Sequence, residues 1–289
     1  MSNMFGLPNI PVRDEDNASH VPSQYSNNIM ISYPTEQDWR NLYDRLIVHD
    51  FSLFTDMRRS HQRSVSKQLD IINSKTVGRA VLSELRAAAQ EVLIYPYDFQ
   101  DLVDWRMNTP TFRTLGITKS YDPSHSHRRG VPLCGKDQVS HQAVCYAAEG
   151  GGAWTHIFFT ASRVTGTETP DEVLLHELVH AARYTRGLIF NFPMSGGYKN
   201  EEEFLAQTVT NIYRSEKGRR PLNYGGAPMD NPNAFLDSDL SPPPATVIGN
   251  LRNNPALWAQ LVDLHTRFNP VRQVDLTSKA YIEKIEREN

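Results

Sequence analysis

The 289-residue chain lacks three features that would each indicate a particular class of protein. It has no apolar run long enough to cross a membrane, so no membrane span is expected. It also lacks the apolar core of a signal peptide at its N-terminus, and export by the Sec route is therefore not expected. With a net charge of −3 it lacks the basic surplus of nucleic-acid-binding proteins, which makes a nucleic-acid partner unexpected.

Cysteine is also scarce, since Cys134 and Cys145 are the only two in the chain. They do not form a CxxC pattern, which argues against a redox or zinc-ribbon motif. Two isolated cysteines favour reduced thiols in a cytosolic working environment. A disulfide across a hairpin is the less favoured alternative.

Chemistry is indicated most strongly by the segment His176-Glu177-Leu178-Val179-His180, which has the HExxH pattern of zinc peptidases. Residues four apart lie on one face of an α-helix, so both imidazoles can reach one metal ion. The carboxylate of Glu177 then lies beside the metal and not on it, where a general base for an attacking water belongs.

The flanking sequence predicts that this motif lies in the middle of a helix of about four turns. Thr169 is a predicted N-cap, Pro170 suits the first helical position, and Glu172 completes a capping box with Thr169. Gly187 is a predicted C-terminal stop.

A catalytic zinc site needs a third protein ligand. The third histidine of the HExxHxxGxxH pattern is absent, because Arg183 and Arg186 occupy the glycine and histidine positions. A second helix is predicted to begin after Asn200 and to run to about Glu216, and three acidic residues open it. A glutamate there would complete a site of two histidines and one glutamate.

Helical spacing favours Glu203 as this ligand, because it shares a stripe with the small residue Ala206 that would face the HExxH helix. Glu202 is the alternative. Glu201 is more suited to the positive end of the helix dipole, with Asn200 as N-cap. A solvated acidic first turn without a metal is the remaining interpretation.

These two helices resemble those of the gluzincin peptidases, a group that includes anthrax lethal factor and whose glutamate helix reads NExEFxA. The matching residues are Asn200 through Ala206, and the family's ligand corresponds to Glu203. The sequence departs from the pattern at Gln207, where the family has another acid. From about Leu69 to Arg220 the chain is also similar to the NleD-like metallopeptidases that bacteria inject into host cells.

The resemblance implies a bacterial effector that leaves the cell without a Sec signal and hydrolyses a protein in the target-cell cytosol, using one Zn²⁺ per chain. A secretion chaperone is an expected partner. Similar domains also form the toxin tips of polymorphic toxins, so an antibacterial peptidase with an immunity protein is one alternative. An inactive binding module with a zincin fold is another. Related gluzincins place an oxyanion-stabilising tyrosine near the position of Tyr198, whose other interpretation is simple packing.

The expected fold class is α+β, a zincin-like metallopeptidase domain with a small sheet, an HExxH helix followed by a glutamate helix, and extra helices at both ends. Residues 1–33 are expected to be disordered and to include an export signal, 34–235 to form the peptidase domain, and 236–289 to form a linker and helices packed on it. Further predictions are a helix from Glu36 to Phe54, a loop-rich stretch from Thr109 to Asp137, and solvated caps or loops for short basic clusters such as Lys217-Arg219-Arg220.

Two strands, Gln142–Ala148 and Trp154–Thr160, are predicted to pair as a hairpin. Either of them is a candidate for the edge strand that pairs with extended substrate in zincins.

Overall fold

The structure is a computed structural model, and it describes residues 19–34, 54–97, 116–120, 122–136, 143–164 and 166–288. The helix predicted from Glu36 to Phe54 lies outside these residues except for its last position. The strands are β1 (Ser19–Ser23), β2 (Ser26–Tyr33), β3 (Val92–Tyr95), β4 (Gly116–Ser120), β5 (Pro132–Lys136), β6 (Ala143–Ala147) and β7 (Thr155–Phe159). The α-helices are α1 (Phe54–Asn73), α2 (Thr76–Ala87), α3 (Pro123–Ser126), α4 (Pro170–Tyr184), α5 (Glu201–Glu216), α6 (Pro244–Gly249), α7 (Pro255–Asp263) and α8 (Pro270–Glu288).

Five strands form a mixed sheet in the order β1-β2-β3-β7-β4. The inner strands β2, β3 and β7 are parallel, and the outer strands β1 and β4 are antiparallel to their neighbours. The register pairs Ile94 of β3 with Ile157 of β7, and Ile157 in turn with Thr118 of β4. Paired residues project to the same face of a sheet, so Thr118 lies on the same face as these two isoleucines.

Helices cover that face and form the core with it. Side chains from β2, β3 and β7 pack with apolar residues of α1, α2 and α4, and all are buried; the members from the strands are Ile29, Ile31, Val92, Ile94, Ile157 and Phe159. β3 and β7 are nearly continuous apolar runs, as expected for inner parallel strands buried by helices. The mixed α+β class predicted from the sequence is confirmed.

The N-terminal prediction is wrong from Ser19 onward, because this part of the supposedly disordered segment forms β1 and β2. Ile29 and Ile31 of β2 are fully or almost fully buried against the helices. The polar composition of residues 1–33 predicts disorder. However, Asn28–Tyr33 contains a short alternation of apolar residues, which is the signal of a half-buried strand.

The predicted hairpin between the strands near 142–148 and 154–160 is also wrong. β6 and β7 do form there, but β6 pairs with β5 in a separate two-stranded sheet, whereas β7 lies between β3 and β4. The stretch from Thr109 to Asp137, predicted to be loop-rich, contains β4, α3 and β5. Within the described parts of the chain, β1 and β4 are the outer strands of the main sheet, so neither predicted candidate is an edge strand of it.

The expectation of free thiols is contradicted as well. Cys145 is disulfide-bonded, and it lies directly opposite Cys134, the chain's other cysteine, in the register of β5 and β6. The less favoured hairpin alternative is therefore the one that the structure has. Spacing alone could not decide this, because the pairing depends on a strand register that the sequence did not reveal.

The C-terminal helices α6, α7 and α8 contribute to the same core, as Val247, Leu261 and Val271 are fully buried. The backbone N–H of Leu257 at the start of α7 donates to the buried carboxylate of Glu84 in α2, at 3.0 Å. This bond satisfies one of the N–H groups that a helix start leaves unpaired. The final segment thus packs on the domain.

Candidate metal centre

The HExxH motif lies within α4, whose start follows the predicted capping pattern. The carboxylate of Glu172 accepts a hydrogen bond from the backbone N–H of Thr169 at 3.1 Å, and Pro170 occupies the first turn. Asp171 and Glu172 place negative charge at the positive end of the helix dipole. The local sequence therefore sets the residue at which α4 begins.

His176 and His180 of α4 meet Glu203 of α5 at one point. The Nε2 atoms of the two histidines are 3.1 Å apart. Oε2 of Glu203 lies 3.3 Å from Nε2 of His176 and 3.7 Å from Nε2 of His180. Among the described residues, these three form the one group of His, Cys, Asp or Glu side chains that is close enough to hold a metal ion.

The donor set fits zinc. Two imidazole nitrogens and one carboxylate oxygen are the ligands of many catalytic zinc sites. Ligand atoms around a tetrahedral zinc with bonds of about 2.0–2.1 Å lie about 3.3 Å from one another, close to the three distances found here. Because the three distances are already close to this value, little rearrangement is needed to bring the side chains to one ion.

The charges of the three residues are coupled to one another. Burial by itself would raise the pKa of Glu203, but hydrogen bonds and charge from His176 and His180 hold that pKa far below its ordinary value. Burial likewise opposes protonation of His180, yet the hydrogen bond and charge of Glu203 raise its pKa. The carboxylate is thus kept ionised, as a metal ligand must be. Because the pKa of His180 is raised, a metal ion would compete with a proton for this ring.

Glu177 projects toward the sheet and contacts β4. The Thr118 hydroxyl lies 2.6 Å from Oε2 of Glu177 and 3.0 Å from its backbone carbonyl oxygen. Gly116, two residues earlier on the same face of β4, is so close that an added Cβ would lie 2.9 Å from Cγ of Glu177. Glu177 is therefore held against the edge strand, next to the ligand residue His176.

Glu202, the alternative ligand, is bound elsewhere. The Nε and Nη2 atoms of Arg183 donate to its two carboxylate oxygens, both at 2.7 Å, and both side chains are almost fully buried. The backbone N–H of Phe190 also donates to Glu202. These bonds occupy both carboxylate oxygens, so Glu203 is the glutamate available to the histidines. The buried positions of Glu201 and Glu202 also contradict a solvated acidic first turn.

Ion pairs connect α4 and α5 at their other ends too. Asp171 and Glu172 at the start of α4 bind residues at the end of α5 and just beyond it, namely Tyr213, Arg214, Lys217 and Arg219. The sequence predicts a solvated cap or loop for the basic cluster after α5, and Lys217 is indeed the C-cap of α5. The predicted solvation is wrong for Lys217 and Arg219, because their charges neutralise buried carboxylates. Two antiparallel helices joined at both ends keep Glu203 in register with the histidines.

Tyr198 lies in the loop between the two helices and packs edge-on against Phe204, with ring centroids 5.0 Å apart. Its other aromatic neighbour is Tyr224, at 5.1 Å. Burial raises the pKa of Tyr198 to about 12, which keeps its hydroxyl protonated as a hydrogen-bond donor. Burial and the charge of Glu203 raise the pKa of the more exposed Tyr224.

The sequence did not indicate the roles of Thr118, Gly116, Tyr224 or the Arg183–Glu202 pair. The alternation in Gly116-Ile117-Thr118 is too short to predict a strand, and nothing in the sequence relates Thr118 to a residue 59 positions away. Arg183 departs from the HExxHxxGxxH pattern at its glycine position. Its position three residues after His180 on the same helix was the available signal that it faces α5.

Comparison of the chain with protein-family models, with curated proteins and with solved structures gives no match. Across the described part of the chain, every helix is too short or too polar to cross a membrane.

Proposed function

We propose that the protein is a zinc metalloendopeptidase of the gluzincin type, with His176, His180 and Glu203 as the metal ligands. One observation carries the proposal: the ligand atoms of these three residues lie within 3.7 Å of one another on two helices, with Glu177 next to the first ligand. A site of two histidines and one glutamate, with the carboxylate of a second glutamate next to it, suits the hydrolysis of a peptide bond.

Bound zinc would supply a Lewis acid that lowers the pKa of a water and polarises the scissile carbonyl. Glu177 takes the proton of the attacking water and later delivers it to the leaving amine. The resemblance to gluzincins assigns to Tyr198 the donation of a hydrogen bond to the oxyanion that develops on the carbonyl. The chain's own residues thus provide a base and an oxyanion donor.

We propose that substrate binds in extended form along β4. This strand is the last in the order of the five-stranded sheet, and its Gly116 and Thr118 contact Glu177. An edge strand offers backbone N–H and C=O groups to a peptide in β-conformation, which gives affinity without strict sequence preference.

The proposed biological role is that of a bacterial effector that cleaves a protein in the cytosol of a target cell. It rests on the sequence resemblance and on the peptidase site. The antibacterial toxin with an immunity protein is the second candidate. The disulfide of Cys145 favours it, because disulfides persist in oxidising compartments such as the bacterial periplasm.

Terminal-labelling proteomics of a target-cell lysate tests the peptidase. Zinc-loaded wild type should generate new N-termini that are absent with Glu177→Gln, while Glu149→Gln, an exposed matched control, should behave as wild type. New termini of equal abundance with Glu177→Gln would contradict the assigned base. Toxicity on periplasmic expression in bacteria, abolished by Glu177→Gln, would favour the antibacterial role over the effector.

A chelator separates the enzyme from an inactive binding module. A ligand that binds the folded state stabilises it by mass action, so removing zinc from the enzyme should lower its melting temperature. His180→Ala should be insensitive to the chelator. A wild-type chain that purifies without metal and melts unchanged in chelator would favour the binding module.

A further inference from the structure

We propose that Thr118 is a positioning residue that holds the carboxylate of Glu177 in the orientation required of a general base. The proposal deepens the peptidase function above and rests on it. It assigns a role in the reaction to a strand that contains no metal ligand, and it names the residue through which that strand acts.

The contact is short and directed at one oxygen. The Thr118 hydroxyl lies 2.6 Å from Oε2 of Glu177, within the range of a charge-assisted O–H···O⁻ bond. A hydroxyl has one hydrogen to donate, and an ionised carboxylate is a stronger acceptor than the backbone carbonyl of Glu177 at 3.0 Å. Occupation of Oε2 by this bond leaves Oε1 as the oxygen for proton transfer.

The support behind Thr118 is rigid. Its position in β4 is set by pairing with Ile157 of β7, an inner strand whose residues are buried. A β-branched side chain has few rotamers, so the strand fixes the direction of the hydroxyl. A glutamate side chain has three rotatable bonds and would otherwise lose orientation, which lowers the rate of a reaction that depends on alignment.

Gly116 completes the contact surface. An ideal Cβ at this position would lie 2.9 Å from Cγ and 3.1 Å from Oε1 of Glu177. The absent side chain lets Glu177 lie flat against β4 and keeps the space beside Oε1 open. Glycine and threonine at alternate positions of β4 therefore act on the two oxygens of one carboxylate.

Thr118→Val removes the hydroxyl and keeps the shape of the side chain, whereas Thr118→Ser keeps the hydroxyl. With zinc-loaded protein and fluorescein-labelled casein as the probe, Thr118→Val should reduce kcat about 10- to 100-fold with KM nearly unchanged. Thr118→Ser should stay within about threefold of wild type. Both variants should bind one equivalent of zinc by elemental analysis, because the metal ligands lie on α4 and α5.

A double-mutant cycle on the slow residual casein cleavage of Glu177→Gln, followed at high enzyme concentration over long incubations, separates positioning from a general effect on β4. If Thr118 acts through Glu177, Thr118→Val should have little further effect in the Glu177→Gln background. A rise in KM, or equal losses of rate in both backgrounds, would overturn the proposal, since either result places the effect on substrate binding or on the strand itself.

Crystal structures of wild type and Thr118→Val test, independently of activity, whether Thr118 orients the Glu177 carboxylate. The Glu177 carboxylate should adopt one orientation in wild type and several in the valine variant, with Thr118→Ala as a replacement if the valine variant does not fold. An unchanged carboxylate in both structures would overturn the proposal even if casein is cleaved. Failure of wild type to cleave casein, together with the expected change in the structures, would count against the peptidase function and leave the contact established.

Discussion

Arg183 binds Glu202 through two parallel hydrogen bonds of 2.7 Å within the protein interior. The pair joins the end of α4 to the start of α5, and Asn254 and the carbonyl oxygen of Leu188 accept the remaining hydrogen bonds of the guanidinium. Glu202 and Glu203 are neighbours in sequence, yet one neutralises a buried arginine and the other faces two histidines. This division of roles leads to the first prediction.

Glutamine substitutions at Glu202 and Glu203 should mainly affect two different properties, the stability of the protein and its zinc content respectively. Glu203→Gln should lower zinc stoichiometry, because it removes an anionic ligand, and it should lower the stability of the metal-free protein less than Glu202→Gln does, because Glu203 is more exposed. Glu202→Gln should keep zinc but lower the free energy of unfolding by about 3 kcal/mol, since it leaves the buried Arg183 charge without a partner. Elemental analysis and urea denaturation in chelator measure the two quantities.

Arg183→Met in the Glu202→Gln background provides the control, because it removes the unpaired charge and should recover part of the lost stability. If Glu202→Gln lost zinc while Glu203→Gln retained it, the ligand assignment would have to be reversed.

The two tyrosines beside α5 allow a matched comparison. Tyr198→Phe should reduce kcat about 10- to 100-fold with unchanged zinc content, because an oxyanion donor contributes mainly in the transition state. Tyr224→Phe removes a hydroxyl from the neighbouring ring and should have little effect. A large loss of kcat in Tyr224→Phe with a normal Tyr198→Phe would transfer the role to Tyr224. Steady-state kinetics on labelled casein measure both.

Acid should destabilise the protein below pH 6.5 through its buried histidines. Burial lowers the pKa of His61 to about 4, although its ring Nε2 lies 3.1 Å from the carbonyl oxygen of Ile94. Burial, with the charges of His20 and Lys119, lowers the pKa of His156 to about 3. Below pH 6.5 the unfolded chain binds protons that the folded chain does not, so the free energy of unfolding falls as the pH falls.

For His61 this loss extends from pH 6.5 to about pH 4 and amounts to about 3 kcal/mol. Urea denaturation of metal-free protein across this range measures it, without interference from zinc release. His61→Gln cannot titrate and should show a flatter dependence than wild type. Parallel curves for the two proteins would mean that other groups cause the acid sensitivity.

The disulfide in the β5–β6 hairpin should be detectable as the absence of free thiols. Protein purified without reductant and then denatured should not react with a thiol reagent, whereas reduced protein should expose two thiols. A Cys134→Ser, Cys145→Ser double variant should lose about 2–3 kcal/mol of stability, because the unfolded chain gains conformational freedom. Two reactive thiols in the unreduced protein would contradict the bond.

Zinc stoichiometry should be the same in this double variant, since neither cysteine lies on α4 or α5. Hydrogen exchange should be faster mainly in the hairpin, including Ala143–Ala147.

Local patterns predicted the parts of the protein that depend on near neighbours in sequence. The capping residues Thr169 and Glu172 defined the start of α4, the apolar run Val92–Tyr95 indicated β3, and the spacing of His176 and His180 placed both imidazoles on one helix face. In each case the interacting residues are within a few positions of one another. The spacing of Glu203 on a second helix favoured it over Glu202, but helical periodicity could not separate two adjacent residues that both face α4.

The tertiary structure decided the remaining features, because they depend on contacts between distant segments. Arg183 binds Glu202 and thereby leaves Glu203 to the histidines, and Thr118 contacts Glu177 only because β4 pairs with β7 at the side of α4. The sequence by itself determined that an HExxH helix forms and that an acidic helix follows it. Which carboxylate meets the histidines and how the base is held follow from strand register and buried charge pairing, neither of which is a property of a local segment.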